Sequence, residues 1–205
     1  MHTREVAMIT IPDMVDVTTP VDGVVGPPQG RWTYADYAAI PADGSRYEVV
    51  NGILYMAPAP TTGDQSANNL FAFYLTMHIQ MTGLGRVFAV PTDVELGPGD
   101  VVQPDILVVL NGSSAAITPA RIVGAPDLVV EIASPSSLGY DRRQKQDAYA
   151  RAGVAEYWLA DPVGQTIELL VLAGAVYQSQ GVFQRKASLP SRVAAMPIQV
   201  EQFFE

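Results

Sequence analysis

The sequence predicts an α/β (α+β) fold: a central mixed β-sheet flanked by helices and carrying antiparallel hairpins. Three stretches predict it. "RYEVVNGILYMAP", residues 46–58, sets two β-prone runs around Asn51-Gly52, the dipeptide that best tolerates the positive φ angles of a two-residue hairpin turn. "DQSANNLFAFYLTMHIQMT", residues 64–82, has apolar residues at 67, 70, 71, 74, 75, 77, 79 and 81, the spacing of a long, mostly buried helix. "APDLVVEIA", "YDRRQKQDAYARAG" and "AEYWLADP" follow in order as strand, helix and strand, a crossover that makes the two strands parallel.

The remaining elements fall between these. Residues 1–30 are rich in Pro, Gly, Thr and Asp, and "TTPVDGVVGPPQG" can form neither a regular helix nor a central strand. They read as an extended arm, which leaves 31–205 as one domain. "TYADYAAI" reads as a short helix, with Thr33 as its cap and Asp36 beside the partial positive charge of its first turn. Gly83 and Gly85 close the long helix. "RVFAVPTDVEL" and "VVQPDILVVL", joined by "GPGD", form a second hairpin, with Pro91 and Pro104 marking bulges or strand starts. "APDLVVEIA" is too apolar to keep one face in water, so it lies centrally in one mixed sheet. Gly153 ends the crossover helix, "TIELLVLAGAVYQSQGVFQRKAS" gives short antiparallel strands, and "PIQVEQFFE" a last helical turn or two.

Bulk composition excludes several classes. The 205 residues are enough for one domain with a proper core, 48% are apolar and 16% charged, a globular balance. No apolar run approaches the roughly 20 residues that span a bilayer, so no membrane association is expected, and the N-terminus lacks a signal-peptide pattern. There is no cysteine, hence no disulfide or thiolate chemistry, and a cytoplasmic location fits. The net charge of −9 opposes a dedicated nucleic-acid binder, which carries a basic footprint. Arg142, Arg143, Lys145 and Arg151 nevertheless share one short stretch, which is either a solvated helix face or a contact surface.

The candidate site comes from polar residues on core-like strands. Asp105 heads "DILVVL" and Glu131 sits deep in "LVVEIA", near the strand's C-terminal end, where ligand sites of α/β sheets collect. A buried carboxylate needs a cation, a metal or a dense hydrogen-bond shell. Converging carboxylates make a hard-oxygen site of the kind Mg²⁺ or Mn²⁺ prefers. On the crossover helix Asp141, Lys145, Ala148, Tyr149 and Ala152 form one stripe, which turns Lys145 inward to the edge of the site, where an ammonium would orient a nucleophile and stabilise an oxyanion. Each residue also has a structural alternative: Asp105 as a turn cap beside Pro104, Glu131 in a buried pair with an arginine, Lys145 in a surface pair with Asp141.

Taken together, "YEVVNG", "VVQPDILVV" and "DLVVEIASPSS…YDRRQKQDAYARAGVAEYWLADP" resemble the Uma2 family of the PD-(D/E)XK nuclease superfamily, over residues 31–205. The resemblance implies a restriction-endonuclease-like sheet and Mg²⁺-dependent cleavage of DNA phosphodiester bonds. It implies Asp105 and Glu131 as metal ligands, Glu48 as a further metal or water ligand, and Lys145 as the catalytic lysine. The superfamily's usual lysine position, two residues past the second acid, is Ala133 here. Gln103 is implied at the scissile phosphate, with Arg142 and Arg143 at substrate. A homodimer would set two basic helices on one groove and offset the acidity. One departure is Asp64, at the place where family members carry a histidine. That loss leaves room for a weakly catalytic or inactive binding module, and the acidic surface for a small-nucleotide phosphohydrolase. His78 lies among core positions and reads as structural.

Overall fold

A computed structural model of the chain describes residues 20–57, 59–134 and 137–205. Most of the proposed arm therefore lies outside the described residues. Its end, from Pro20, is tied down: Val21 N–H donates to the Leu54 carbonyl, and Gln29 reaches the backbone of both Val21 and Leu54.

The hairpin of β1 (Arg46–Val50) and β2 (Ile53–Ala57) turns at Asn51 and Gly52, with φ values of 54° and 71°. Gly52 also packs against its neighbours' backbone. Its carbonyl accepts from Gly30 N–H and Trp32 N–H, and its own N–H donates to Gly99. A Cβ there would sit 2.6 Å from the Gly30 carbonyl. Gly52→Ala is therefore expected to cost roughly 1–3 kcal/mol, read as a lower urea midpoint; an unchanged midpoint would mean that the turn is not held as described.

The second hairpin forms at Gly97–Asp100, between β4 (Val94–Gly97) and β5 (Asp100–Val102). Each of its long runs is broken by proline and continues elsewhere. Beyond Pro91 and Pro104 the same ribbon pairs again as β3 (Gly85–Ala89) with β6 (Ile106–Leu110). Proline has no N–H to give a ladder, so the ribbon bends at both and serves two sheets. One six-stranded sheet holds β1, β2, β4 and β5, with β7 (Ala116–Ile117) and β8 (Ile122–Val123). The other runs β12-β11-β10-β9-β6-β3, where β9 is Leu128–Ile132, β10 Glu156–Asp161, β11 Thr166–Ala173 and β12 Val176–Gln184. The expected class holds, with mixed sheets flanked by helices, but the strands divide between two sheets rather than one.

β9 and β10 are parallel, as the crossover requires. The crossover runs as α3 (Leu138–Tyr140), a π-helical turn at Asp141–Lys145, and α4 (Gln146–Ala152), and Gly153 closes it at φ 94°. The long helix α2 (Thr62–Leu75) likewise continues into a π-helical turn at Thr76–Gln80. α1 (Tyr34–Ala38) is capped by Thr33 and Asp36 as expected. A 3₁₀ turn at Val200–Phe203 ends the fold, and Phe203 stacks on Phe71 with ring centroids 4.4 Å apart.

Period-two alternation assigns the faces. Ile106, Val108, Leu128 and Val130 pack under α2 with Phe71, Leu75 and Ile79. Leu107, Val109 and Val129 face the other way, toward Ala148, Tyr149 and the first sheet's Val50 and Val102. Glu131 belongs by register to that second face, between the sheets and beneath the crossover helix. In β1, Val49 packs outward with Trp32 and Leu54, so Glu48 and Val50 face the same inter-sheet space. Among the described residues, no helix is long and apolar enough to cross a membrane.

Candidate functional site

The site forms where the bent ribbon passes from one sheet to the other. Glu48 comes from β1, Asp105 from the start of β6 just past Pro104, Glu131 from β9 and Lys145 from the π-helical turn. All four line one cavity of about 280 Å³. Glu48, Glu131, Asp141 and Lys145 are buried, and Asp105 is partly so.

The centre is the Lys145 ammonium. Its Nζ lies 2.7 Å from Glu131 Oε1, 3.1 Å from Glu48 Oε1 and 3.9 Å from Asp141 Oδ1. The inward stripe read from the helix spacing is thus realised. Tyr149, one turn further on, donates its hydroxyl to Glu131 Oε1 at 2.5 Å. Glu48 Oε1 also accepts the Gln103 N–H at 2.7 Å. Asp105 Oδ2 accepts the Ile132 N–H at 2.8 Å, which ties the start of β6 to the end of β9.

These bonds set the electrostatics. Burial pushes the Glu131 carboxyl well above the usual range; Lys145 pulls it back, and the charges of Asp141, Asp105 and Glu48 push it up again. Burial also raises Asp105, against the pull of Lys145 and Arg46. It raises Asp141 to about 7, with Lys145 and the Ser137 hydroxyl pulling down. Burial alone would lower Lys145, but Glu131, Glu48, Asp141 and Asp105 outweigh it and raise it, so the ammonium stays charged.

The other expected residues lie around this centre. Gln103 holds Glu48 in place through its backbone. Its side chain donates to Tyr37 and Asp93 and accepts from Arg46 Nε at 3.2 Å, so it is spent within the protein. Arg142 pairs with Glu168 at 2.7 Å, and Arg143 is exposed, donating to the Gly139 carbonyl at 3.3 Å. Asp64 lines the cavity, and its carboxylate accepts from both Thr61 N–H and Thr61 Oγ, capping α2. Of the loop between strand and helix, Pro135 and Ser136 lie outside the described residues; Ser134 and Ser137 are bonded to each other across it. His78 is half-buried near the end of the long helix.

Arg46, Tyr140 and Tyr149 are site residues that the sequence reading misses, yet the spacing of two of them marks them. Arg46 is two residues before Glu48 on the same strand face, and Tyr149 is four after Lys145 on the same stripe.

A resident Mg²⁺ or Mn²⁺ would need several free carboxylate oxygens around one point. Here one oxygen of each carboxylate is engaged: Glu131 Oε1 by the ammonium and the Tyr149 phenol, Glu48 Oε1 by the ammonium and the Gln103 N–H, and Asp105 Oδ2 by the Ile132 N–H. Among the described residues, no group of three or more His, Asp or Glu side chains is arranged to hold a metal ion. As arranged, Glu131 and Glu48 have an internal ammonium as their cation.

A family model, Uma2, described as "Putative restriction endonuclease", matches residues 34–200. The chain belongs to the Uma2 family. A solved structure described as a "putative nuclease belonging to DUF820" from Anabaena variabilis shares the fold: the TM-score is 0.71 over 84% of this chain and 97% of that one, at 19% identity. Comparison with curated protein sequences returns no match. The Uma2 assignment and the mixed-sheet architecture thus agree with a PD-(D/E)XK-like fold.

Proposed function

We propose that this chain is a nuclease-fold binding or regulatory module in which phosphodiester hydrolysis is weak or absent. One observation carries the reading: Lys145 Nζ, at 2.7 Å from Glu131 and 3.1 Å from Glu48, already supplies the cation those carboxylates require. The net charge of −9 supports it, because phosphate contacts on DNA need basic side chains, and Arg142 is already paired with Glu168. The module is residues 31–205, with 1–30 as an arm, in a cytoplasmic protein.

A second reading is a Mg²⁺- or Mn²⁺-dependent endonuclease acting on DNA. The gathering of Glu48, Asp105, Glu131 and Lys145 around one cavity favours it, as does the family. It requires Lys145 to leave both carboxylates, and a homodimer whose paired helices bring Arg142 and Arg143 to one groove. A small-nucleotide phosphohydrolase would need the same rearrangement but less basic surface.

Titration calorimetry with Mn²⁺ separates these, run beside cleavage and phosphate-release assays on duplex DNA, single strands and nucleotides. The module reading expects no Mn²⁺ uptake that Glu131→Ala removes, and no turnover. Mn²⁺-dependent turnover that Glu131→Ala abolishes would establish the hydrolase instead.

A further inference from the structure

The long helix and the π-helical turn that extends it carry two rows of apolar side chains. Ala67, Phe71, Leu75 and Ile79 recur at every fourth residue and are buried against the sheet. Phe73, Met77 and Met81 also recur at every fourth residue, displaced by two, which turns them about 200° away. They are 56, 46 and 70% exposed. In a straight α-helix a four-residue row drifts around the axis by about 40° per step. The π-helical turn at Thr76–Gln80 holds more residues per turn and offsets that drift, so both rows keep their faces. Met81 continues the turn, with its N–H on the Thr76 carbonyl. A surface helix normally turns polar and charged residues outward. Here residues 65–85 contain no Asp, Glu, Lys or Arg, although charged residues make up 16% of the chain.

The exposed row is symmetric about Met77. Phe73 and Met81 lie four residues to either side, and Leu70 and Leu84 three residues beyond those. Leu84 is 54% exposed and is held against the helix end by its N–H bond to the Ile79 carbonyl. Such a row is its own complement when two copies run antiparallel: Met77 meets Met77, Phe73 meets Met81, and Leu70 meets Leu84. The antiparallel sense also opposes the two helix dipoles, the favourable arrangement.

Charge selects the same partner. At −9 the chain repels nucleic acid and an anionic lipid surface, and a basic partner gains nothing from a face without carboxylates. Two copies meeting on this face bring no like charges into contact. Phe73, Met77, Met81 and Leu84 leave on the order of 400 Å² of side chain in water, about half of the roughly 800 Å² that each partner of a stable complex buries. Apolar atoms make up roughly that share of such interfaces.

We propose that this face is a homodimer interface, in which two copies of the helix pack antiparallel about a two-fold axis at Met77. The helix and the crossover helix lie on opposite faces of the sheet that holds β9 and β10. Each crossover helix, with Arg142 and Arg143, is therefore separated from the interface by its own sheet. This is not the dimer that the endonuclease reading requires, and it does not depend on what the cavity binds.

Sedimentation equilibrium of the full chain at micromolar concentrations should give twice the chain mass. Met77→Glu sets two like charges on the axis and should raise the dissociation constant about tenfold or more. Val163→Glu, at a turn position 85% exposed, should leave it unchanged. The chain has no cysteine, so single introduced thiols report the register even if Met77→Glu fails to fold. Met77→Cys should give a covalent dimer on mild oxidation, faster than Val163→Cys. Phe73→Cys and Met81→Cys should each cross-link poorly alone and readily when mixed. The interface is overturned by a monomeric parent, by a dimer that Met77→Glu weakens no more than Val163→Glu does, or by Met77→Cys cross-linking no faster than Val163→Cys. Phe73→Cys cross-linking as readily alone as in the mixture would overturn the antiparallel register.

Discussion

Lys145→Met is expected to destabilise the protein by about 3–5 kcal/mol at pH 8, the range for breaking a buried ion pair by removing one partner. The substitution keeps most of the side-chain volume and removes only the charge. Glu131 and Glu48, both nearly inaccessible, would then face each other without the cation that sits 2.7 and 3.1 Å from them. For a domain of this size the loss corresponds to roughly 6–20 °C in melting temperature. The lysine's folded pKa is raised above its ordinary value of 10.5, so its contribution is complete below that value and is lost only as pH rises through the higher folded one. The whole deficit is therefore present at pH 8. It should shrink as pH falls and Glu131, already raised, takes up a proton. Arg142→Met is the internal control: that side chain is 43% exposed, and its pair with Glu168 is expected to contribute no more than about 1 kcal/mol. If chemical denaturation finds Lys145→Met as mild as Arg142→Met, the ammonium is not the centre of the network.

How far the sequence reveals this network varies by residue. Asn51-Gly52 carries its turn in two letters, because few other dipeptides accept two consecutive positive φ angles. Glu131 and Lys145 are legible through periodicity: alternation along β9 and the i, i+4 stripe of the helix put both in one space. The bend of the ribbon is only half legible. Pro91 and Pro104 announce a break, but which sheet the chain joins beyond it depends on partners distant in sequence. The π-helical turn at Asp141–Lys145 carries no Pro or Gly to announce it. Gln103 is illegible for a related reason. Family resemblance implies it at the substrate, while Tyr37 and Arg46, which engage its side chain, lie 66 and 57 residues away, beyond any local pattern. Asp64 shows the opposite case. Its role follows from Thr61 three residues before it, a local capping pattern.

Asp141 should make the protein less stable as pH rises through neutrality. Folding moves its carboxyl from 3.8 to about 7, so between those values the native state holds a proton that the unfolded chain has released. The stability tied to that proton is complete below the unfolded value and is lost as pH rises through about 7. A tenfold change in proton affinity is worth about 1.4 kcal/mol, which puts the effect on the order of a few kcal/mol. Burial is the largest cause, and the charges of Asp105 and Glu48 add to it, so an ionised Asp141 is an excess negative charge that Lys145 only partly offsets. Asp141→Asn mimics the protonated form and cannot ionise. Below the unfolded value of 3.8 it should match the parent in urea unfolding; its advantage should grow as pH rises toward about 7 and level off above that, at on the order of a few kcal/mol. Glu131 and Asp105, both raised by burial, keep a residual slope of the same sign in the variant. If the two stability curves run parallel from pH 5 to pH 8, Asp141 carries no native proton and the cluster is better compensated than its geometry implies. A variant less stable than the parent at pH 8 would instead make the charged Asp141–Lys145 contact, at 3.9 Å, the stronger effect.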